Sequence, residues 1–285
     1  MLRHRFLRLL PPFRGKARIA RMLYSEAARR NPASIRTKNG QVLSVPNCIE
    51  PVGFALWLDG VYEPDVMAFL EQSITPHSVV LDIGANIGAF TVPLAARIPG
   101  GTVIAIEASP SVARMLTSNI KTNGLSNVVV IECAASTGLS AALDFYEAPA
   151  DHFGMGSLAP QFGASPTNVL ARSVDDILKS LSIANVDVMK VDVEGYEAHV
   201  FEGAKQLLTG RRAPLIVFEF CDWAEARAFS GETGRAQQVL LDYGYTLWIL
   251  EDYLAKHKPM GAILRHGFWS IVAVPAENRG NEVIG

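Results

Sequence analysis

The chain has 285 residues, of which 49% are hydrophobic and 19% charged, and its formal net charge is −2. No apolar run approaches the ~20 residues that a membrane-spanning helix needs, and the three cysteines are widely spaced without a C-x-x-C pair. This composition argues against a disulfide framework and against zinc or iron–sulfur sites. It is typical of a globular protein with one large domain and appendages.

The first 38 residues form a basic arm. They hold eleven Lys/Arg and a single acid, Glu26, while the rest of the chain carries 15 basic and 27 acidic groups, a net −12. Arginines and two prolines interrupt the apolar residues of the arm, so it lacks the core of a secretory signal and we expect a cytoplasmic protein. The arm can contact an anionic surface. We favour a helix docked on the protein's own acidic body, with Ile19, Met22 and Leu23 at helical spacing.

Residues 1–75 comprise this arm and a small preamble. Asn39-Gly40 predicts a hairpin between short extended pieces, and PDVMAFLEQSI, residues 64–74, has apolar positions at helical intervals. Both patterns indicate a structured lead-in to the main domain.

Residues 76–275 alternate between strand and helix patterns, and residues 276–285 are predicted to be a frayed tail. Strands are predicted to end near Asp82 and Glu107, and further strands at 127–135, 187–194, 213–220, 245–250 and 268–275; helices are predicted at about 87–97 and 111–124. ALDFY is interpreted as an added strand before a Gly/Ser/Pro-rich loop at 151–166. Such alternation predicts a parallel sheet with helices on both faces.

The turn after the first of these strands is rich in glycine. LDIGANIGAF places Gly84 and Gly88 where the backbone can approach a ligand at the carboxyl end of the sheet. The spacing matches neither the G-x-G-x-x-G dinucleotide fingerprint nor the phosphate loop, which needs a Lys beside Ser or Thr where Phe90-Thr91 stands. Asp82 at the strand tip would repel pyrophosphate and attract an ammonium group.

Glu107 at the tip of the second strand can accept hydrogen bonds from both ribose hydroxyls of a nucleoside. S-adenosylmethionine combines a cationic amine, a sulfonium and a nucleoside without phosphate, so the loop and this acid together predict a site for it. Ala134, at the end of the third strand, is then expected beside the adenine. The alternative is structural: Gly84 and Gly88 only make a tight turn, and Asp82 caps a helix.

The segments LDIGANIGAF, IEAS, KVDVEGYE, SVDDIL and IVFEF together resemble the FkbM-type methyltransferases, which are class I S-adenosylmethionine-dependent enzymes. The resemblance implies an α/β, Rossmann-like fold with a seven-stranded, mostly parallel sheet of order 3-2-1-4-5-7-6 and an antiparallel last strand. It also implies O-methylation of a hydroxyl on a sugar, a glycan or a natural-product small molecule. By resemblance, Asp82, Gly84, Asn86 and Gly88 hold the methionine end of the cofactor, and Glu107 holds the ribose.

The fourth strand, in DVMKVDVEGYE, carries Lys190, Asp192 and Glu194 at alternate positions, so the three charges are predicted to share one face. A buried lysine between carboxylates is explained as a paired charge, and Asp82 and Glu219 on the flanking strands are available to it. Glu219 is either a partner of Lys190 or a residue of the site. Asp192 is expected near the transferred methyl group or the acceptor. Glu194 either caps the next helix or serves as the base that an aliphatic hydroxyl needs.

His152, in the Gly/Ser-rich loop, is a third candidate base, although a lone loop histidine is more often plain surface. His199 is expected to be structural. Trp57, Tyr62 and Tyr196 are candidates for the wall of an acceptor pocket, with core packing expected for at least two of them.

A metal-assisted alternative would gather Asp192, Glu194, Glu219 and Asp222 around Mg²⁺. Nothing in their spacing demands an ion, and Lys190 would compete for the same charges. We therefore predict no metal site.

Two rival functions are weaker. An N-methyltransferase of protein or nucleic acid is expected to carry [DN]-P-P-[YFW] after the fourth strand, where Glu194-Gly195-Tyr196 stands instead. A non-catalytic binding module would not need the glycine loop and Glu107. We expect a small-molecule or glycan acceptor, no nucleic-acid partner and no transmembrane segment, and the sequence does not name the acceptor.

Overall fold

The computed structural model of the chain describes residues 19–20, 22–23, 28, 34–149, 152–160, 162–163 and 165–276. The predicted tail lies outside the described residues except for Ala276. Most of the basic arm also lies outside them, so the alternative of contact with an anionic surface is not tested.

The described residues of the arm correct one expectation. Ala20 and Ala28 are buried in the same apolar cluster as Ile35 and Leu43. The three residues predicted to dock are exposed: Ile19 at 42%, Met22 at 78% and Leu23 at 58%. At these positions the arm therefore packs on the body through small side chains, which allow a close approach, and its larger apolar side chains face outward.

The preamble is a hairpin followed by two helices. Strands β1 (Ser34–Arg36) and β2 (Val42–Ser44) pair antiparallel around the predicted turn, where Gly40 has a φ of 94°. Helix α2 (Pro64–Gln72) confirms the second prediction. Helix α1 (Pro51–Asp59) was not predicted, because its residues are apolar on almost every side and show no helical period.

The strands that follow are β3 (Val79–Ile83), β4 (Thr102–Glu107), β5 (Val128–Glu132), β6 (Ala134–Ala135), β7 (Ala142–Phe145), β8 (Thr167–Arg172), β9 (Val188–Val191), β10 (Leu215–Cys221), β11 (Tyr245–Ile249) and β12 (Phe268–Pro275). The helices between them are α3 (Thr91–Arg97), α4 (Pro110–Thr122), α5 (Val174–Ser180), α6 (Glu197–Glu202), α7 (Lys205–Thr209), α8 (Asp222–Ala228), α9 (Arg235–Asp242) and α10 (Leu250–Leu254). None of the described helices is long and apolar enough to cross a membrane.

Seven strands form the main sheet in the order β5-β4-β3-β9-β10-β12-β11. They are parallel except β12, which runs antiparallel to both of its neighbours. Numbered by their occurrence along the chain, these strands have the order 3-2-1-4-5-7-6 that the family resemblance implies. The predicted α/β fold is confirmed.

Strand alternation sends neighbouring side chains of this sheet into different apolar clusters. Leu81 and Met189 belong to one cluster, whereas Val80 and Val188 belong to another. Because the sheet is buried on both faces, its central strands are continuous apolar runs, which makes them easy to identify in the sequence.

The chain between β5 and β9 forms a small second sheet of order β6-β8-β7. The added strand predicted at ALDFY is β7. The predicted third strand is interrupted: it leaves the main sheet after Glu132, and Ala134 and Ala135 pair with β8 instead. The loop that follows β7 returns over the carboxyl edge of the main sheet.

Helix α3 begins four residues later than predicted. Gly84, Asn86 and Gly88 have φ values of 73°, 51° and 91°, which belong to the left-handed region and are incompatible with a regular helix. The segment between β3 and Thr91 is therefore a wide turn.

Candidate active site

A cleft opens where the carboxyl ends of the central parallel strands meet, the usual place for a ligand in an open α/β sheet. We call it the tip cleft. Its lining includes Gly84, Asn86, Glu107, Ala134, Phe153 and Asp192. The turn after β3, the tip of β4, the start of β6 and the loop at 153–158 thus each contribute one wall.

Glu107 lies in the tip cleft with 8% of its surface exposed. Its Oε2 accepts from the amide of Asn86 at 2.8 Å, and its Oε1 accepts from the amide of Ser109 at 2.8 Å. Burial raises the pKa of Glu107 to about 7, against the opposing effect of these amides. The two amides fix the plane of the carboxyl group, and each oxygen keeps a lone pair with which it can accept a hydroxyl.

Gly84 allows the turn after β3 to pass the end of β9. A Cβ added at this residue would overlap the backbone carbonyl of Asp192, so only glycine permits this approach. Gly88 has another use: a Cβ there would come within 2.8 Å of the Leu116 side chain on α4. Gly84 lines the tip cleft, whereas Gly88 sets the packing of the turn on α4 and does not line it.

Asp82 is fully buried and lines neither this cleft nor its neighbour. Its Oδ2 accepts from the hydroxyl of Thr91 at 2.6 Å, and its Oδ1 lies 3.6 Å from Nζ of Lys190. Its role at the methionine end of a cofactor stays a prediction, and its described contacts are internal.

The tip cleft fits S-adenosylmethionine by the chemistry of its lining. Among the described residues that line it there is no Lys, Arg or His, while Glu107, Asp192 and Glu194 are acidic. Such a lining disfavours a phosphate and suits a cationic nucleoside. Apolar side chains that include Val112, Phe145 and Leu158 provide a surface for an aromatic base.

A second cavity adjoins the tip cleft. We call it the acidic pocket, and its own lining includes Glu50, Tyr62, Phe90, Lys190, Glu219 and Trp223. Five residues line both cavities: Gly84, Asn86, Gly154, Asp192 and Glu194. The two candidate carboxyl groups therefore lie where the cavities meet.

Lys190 forms an ion pair with a carboxylate on each side of it. Its Nζ lies 3.3 Å from Oδ2 of Asp192 and 3.6 Å from Oδ1 of Asp82, and it donates to the carbonyl of Gly84 at 3.0 Å. Burial by itself disfavours the ammonium form, but the charges of Asp192 and Asp82 outweigh it and raise the pKa of Lys190. The predicted pairing with Asp82 is confirmed. Of the two alternatives for Glu219, the pairing with Lys190 is not observed, because within the described part of the chain these two side chains form no ion pair. Glu219 instead lines the acidic pocket.

Glu194 does not follow the predicted alternation of charges along one strand face. Strand β9 ends at Val191, and Glu194 has a φ of 55°, which turns the backbone away from the strand path. Burial, followed by the charge of Asp192, raises the pKa of Glu194 to about 8. The side chain is thus a carboxyl group that holds its proton at neutral pH more readily than an exposed glutamate does.

Glu197, not Glu194, accepts hydrogen bonds from the backbone amides of the turn before helix α6. It is 3% exposed, and its Oε1 accepts from the amides of Val193 at 3.0 Å and Gly195 at 3.3 Å. Helix α6 has no side-chain N-cap bond from its preceding residue, so capping by Glu194 is not observed. Glu197 was not identified from the sequence, where a glutamate in a first helical turn is unremarkable.

Carboxylate oxygens of Asp192, Glu194 and Glu219 lie within 4.8 Å of one another. Asp222, the fourth residue of the metal-assisted alternative, instead accepts from the amides of Trp223 at 2.6 Å and Gly267 at 2.8 Å. Burial and the charge of Asp192 raise the pKa of Glu219 well above its ordinary value. Protons can relieve the repulsion among crowded carboxyl groups, so this cluster does not require a metal ion, and the absence of a metal site stays a prediction.

His152 belongs to the loop that covers both cavities but lines neither of them. Its ring centroid lies 5.7 Å from that of Phe162, while its neighbours Phe153, Gly154 and Met155 face the cavities. Its role as a base stays a prediction, and the described geometry places Asp192 and Glu194 closer to both cavities.

The aromatic candidates divide as expected between packing and the site. Trp57 is 6% exposed and packs near Phe54, and Tyr196 stacks on His199 with centroids 4.8 Å apart. His199 is also stacked on Phe229, which agrees with its predicted structural role. Among the three candidates only Tyr62 lines the acidic pocket.

Two aromatic residues at the mouth of the acidic pocket were not predicted. Trp223 and Phe268 line it and are 46% and 59% exposed. They come from α8 and the start of β12, which are distant in the chain. An exposed aromatic residue is a signal only when the fold places it beside a cavity, so the sequence alone could not single them out.

Comparison with protein families gives a match to the methyltransferase FkbM domain over residues 82–247. The matched segment contains the glycine loop, Glu107 and the whole of β9, and therefore the residues at the meeting point of the two cavities.

Individual relatives are distant. Methyltransferase 1 of Beauveria bassiana is 26% identical over 227 residues, which cover 70% of this chain and 82% of that protein. The AMB antimetabolite synthetase AmbE of Pseudomonas aeruginosa is 24% identical over 233 residues, but these span only 11% of its length. A solved S-adenosylmethionine-dependent O-methyltransferase of Thermotoga maritima has 16% identity and a TM-score of 0.42, with 88% of this chain and 80% of that chain covered.

Proposed function

The chain belongs to the FkbM family of S-adenosylmethionine-dependent methyltransferases, and we propose that it methylates a hydroxyl group of a sugar, a glycan or a natural-product small molecule. The tip cleft would hold the cofactor and the acidic pocket the acceptor. We also propose that the reaction takes place in the cytoplasm.

One observation carries this proposal: Asp192 and Glu194 line both cavities. A hydroxyl that attacks a methyl group must lose its proton as it does so, and the base must lie within hydrogen-bonding reach. A carboxylate that borders both the cofactor and the acceptor meets that requirement. An acceptor that is already nucleophilic, such as a thiolate, would not need it.

The bound cofactor supplies an electrophilic methyl group on a sulfonium. The chain has to orient the acceptor in line with that methyl and to exclude water. In the tip cleft, Glu107 would accept the ribose hydroxyls, and the turn at Gly84 and Asn86 would contact the methionine end.

Asp192 is the base we propose, and Glu194 is the group that orients the acceptor. Asp192 lies beside the ammonium of Lys190, which favours its ionised form. The pKa of Glu194 is raised to about 8, through burial first and through the charge of Asp192 second, so at neutral pH it can donate a hydrogen bond to an acceptor oxygen. The two carboxyl groups thereby take complementary roles.

The acceptor class is inferred from the walls of the acidic pocket. Tyr62, Phe90, Trp223 and Phe268 present ring surfaces, and Asp192, Glu194 and Glu219 present hydrogen-bonding oxygens. Rings that stack on apolar C–H faces, together with carboxyl groups that take hydroxyls, are suited to a polyhydroxylated ring. The carboxylate of Asp192 would repel a phosphorylated or carboxylated acceptor.

The test has two steps. Isothermal titration calorimetry should detect binding of S-adenosylmethionine and of S-adenosylhomocysteine at micromolar levels, and Glu107→Ala should weaken it sharply. Absence of binding by the native protein would rule out the proposed function. Transfer of a labelled methyl group across a panel of hydroxylated glycans and small molecules, read by mass spectrometry, should then identify the acceptor, with equal rates in the presence and absence of EDTA.

A further inference from the structure

A buried chain of polar and charged side chains connects the cofactor loop to the acidic pocket. It runs from Thr91 through Asp82 and Lys190 to Asp192, with contacts of 2.6, 3.6 and 3.3 Å. Asp82 and Lys190 are 0% and 4% exposed. Lys190 and Asp192 both line the acidic pocket, and of the four residues only Asp192 also lines the tip cleft.

We propose that Lys190 is a positioning residue that holds the carboxylate of Asp192 ionised and fixed at the junction of the tip cleft and the acidic pocket. The role of Asp192 as base in this statement rests on the proposed function. The pairing of the two side chains does not.

A purely structural role for Lys190 would need only one counter-charge. Asp82 is fully buried, lies in register with Lys190 across the β3–β9 pair and would neutralise it. The ammonium nevertheless also contacts Asp192, whose side chain is 22% exposed and lines both cavities. This second pairing is made with a group that faces ligands, not with a group of the core.

The position of the ammonium is fixed from several directions. It donates to the carbonyl of Gly84 at 3.0 Å, pairs with Asp82, and lies 5.2 Å from the centroid of the Phe90 ring. Because Gly84 and Asp82 belong to the segment that begins the cofactor loop, Asp192 is held at a set distance from that loop. Preorganisation of this kind keeps a base aligned without a cost at the moment of reaction.

The surroundings of Asp192 make this cation necessary. Carboxyl groups face it from several elements: Glu63 before α2, Glu194 and Glu197 around the turn after β9, and Glu219 on β10. The phenol of Tyr62 also interacts with it. Within the described part of the chain, Lys190 is the only residue that forms an ion pair with Asp192. Without it, Asp192 would join a set of mutually repelling acids that are relieved by taking up protons.

The pairing can be tested without any acceptor. In protein labelled with ¹³C at the aspartate carboxyl carbon, the Asp192 resonance is identified by its loss in Asp192→Asn and is titrated by NMR. In Lys190→Met, which keeps the length but removes the charge, we expect the midpoint to rise by about one unit or more, a tenfold change in proton affinity. In Lys190→Arg the midpoint should stay near the native value. An unchanged midpoint in Lys190→Met would overturn the proposal.

If Lys190→Met does not give a native circular dichroism spectrum, the same pair is measured from its other side. Coupling between two titrating groups is reciprocal, so Asp192→Asn should lower the ¹⁵Nζ titration midpoint of Lys190 by a similar amount. A midpoint that does not move would again contradict the proposal.

Steady-state kinetics measure the effect of Lys190 on catalysis, with the acceptor found by the methyl-transfer panel. Lys190→Met should lower kcat by a larger factor than it changes KM, and should shift the acid limb of the pH–rate profile to higher pH. Lys190→Arg should restore part of kcat. A lower kcat with an unmoved acid limb would contradict the positioning role. If no acceptor is found but the NMR midpoint moves, the charge pairing stands and only the proposed function fails.

Discussion

At the scale of single residues, the chemistry of the site depends on how each carboxyl group is surrounded. Glu107 is held by two backbone amides, Asp192 by the ammonium of Lys190, and Glu197 by the amides of a turn. In the described part of the chain, no hydrogen bond or ion pair to the carboxyl group of Glu194 is observed. Its pKa is raised to about 8, by burial first and by the charge of Asp192 second. Groups of the same type therefore differ in protonation because of their neighbours, which is how acid and base roles are usually separated.

Asp192→Asn should reduce kcat by about 100-fold or more, the usual contribution of a general base. Glu194→Gln should have a smaller effect on kcat, about tenfold, because an amide can still donate a hydrogen bond. It should mainly raise KM, because Glu194 is proposed to orient the acceptor. Steady-state methyl-transfer kinetics distinguish the two variants. Asp144→Asn, at an exposed position of β7, is the matched control, and His152→Ala decides the remaining candidate base. A greater loss of kcat in Glu194→Gln than in Asp192→Asn would reverse the assignment.

Cofactor affinity should rise with pH. The pKa of Glu107 is raised by burial to about 7, and ribose hydroxyls donate to its ionised form, so at lower pH binding must first remove a proton. Between pH 6 and 8 the affinity of the native protein should increase by up to about tenfold relative to Glu107→Gln, then level off. Calorimetry with S-adenosylhomocysteine at several pH values measures this ratio, in which the ligand's own titration cancels. A ratio that is constant with pH would contradict the ribose role of Glu107.

At the scale of elements, strand–turn–helix units bring the functional residues to the sheet edge. The sequence predicts the strands well, because buried parallel strands are apolar runs of recognisable length. It predicts their ends less well: β9 stops at Val191, so Asp192 lies beyond the strand and the turn follows at Glu194 and Gly195. Glu194 has a φ of 55°. The sequence gives no reliable indication that a residue other than glycine adopts such a left-handed conformation.

Gly84→Ala should disrupt the site far more than another glycine substitution with similar backbone strain. Gly84 and Gly124 have φ values of 73° and 64°, so alanine costs about 1–2 kcal/mol of conformational energy at either. Only at Gly84 would the new Cβ overlap a neighbour, the carbonyl of Asp192, whereas Gly124 has open space around it. Thermal unfolding should show a larger loss in Gly84→Ala, together with loss of cofactor binding. Equal losses of melting temperature in the two variants would contradict the close approach of the turn after β3 to the carbonyl of Asp192.

At the scale of the whole molecule, charge is distributed unevenly between the basic arm and the acidic remainder of the chain. The arm carries eleven Lys/Arg within its 38 residues, and its described residues Ala20 and Ala28 are buried in the cluster that also contains Leu43 and Ile87. That cluster extends to the turn at the tip cleft, so the arm and the site share one packing unit.

Deletion of residues 1–30 should therefore lower the melting temperature by several degrees, because burial at Ala20 and Ala28 is lost. The matched control replaces Met22 and Leu23, which are exposed, with serine, and should leave the melting temperature almost unchanged. Differential scanning calorimetry compares the three proteins. A deletion variant with native stability that no longer binds vesicles containing anionic lipid would favour the anionic-surface alternative instead.

Local patterns are sufficient to predict the α/β fold, the cofactor loop and the set of candidate acids, because glycine spacing and apolar runs have local causes. The family was predicted from the resemblance of several segments together. Which of the acids meet depends on the tertiary structure. It placed Asp82 in the core, brought Asp192 and Glu194 to both cavities, paired Lys190 with Asp192 just beyond the end of β9, and set Trp223 and Phe268 in the lining of one pocket. These choices depend on distances between elements far apart in the chain, and on backbone turns such as the one after Val191, which the identity of single residues does not fix.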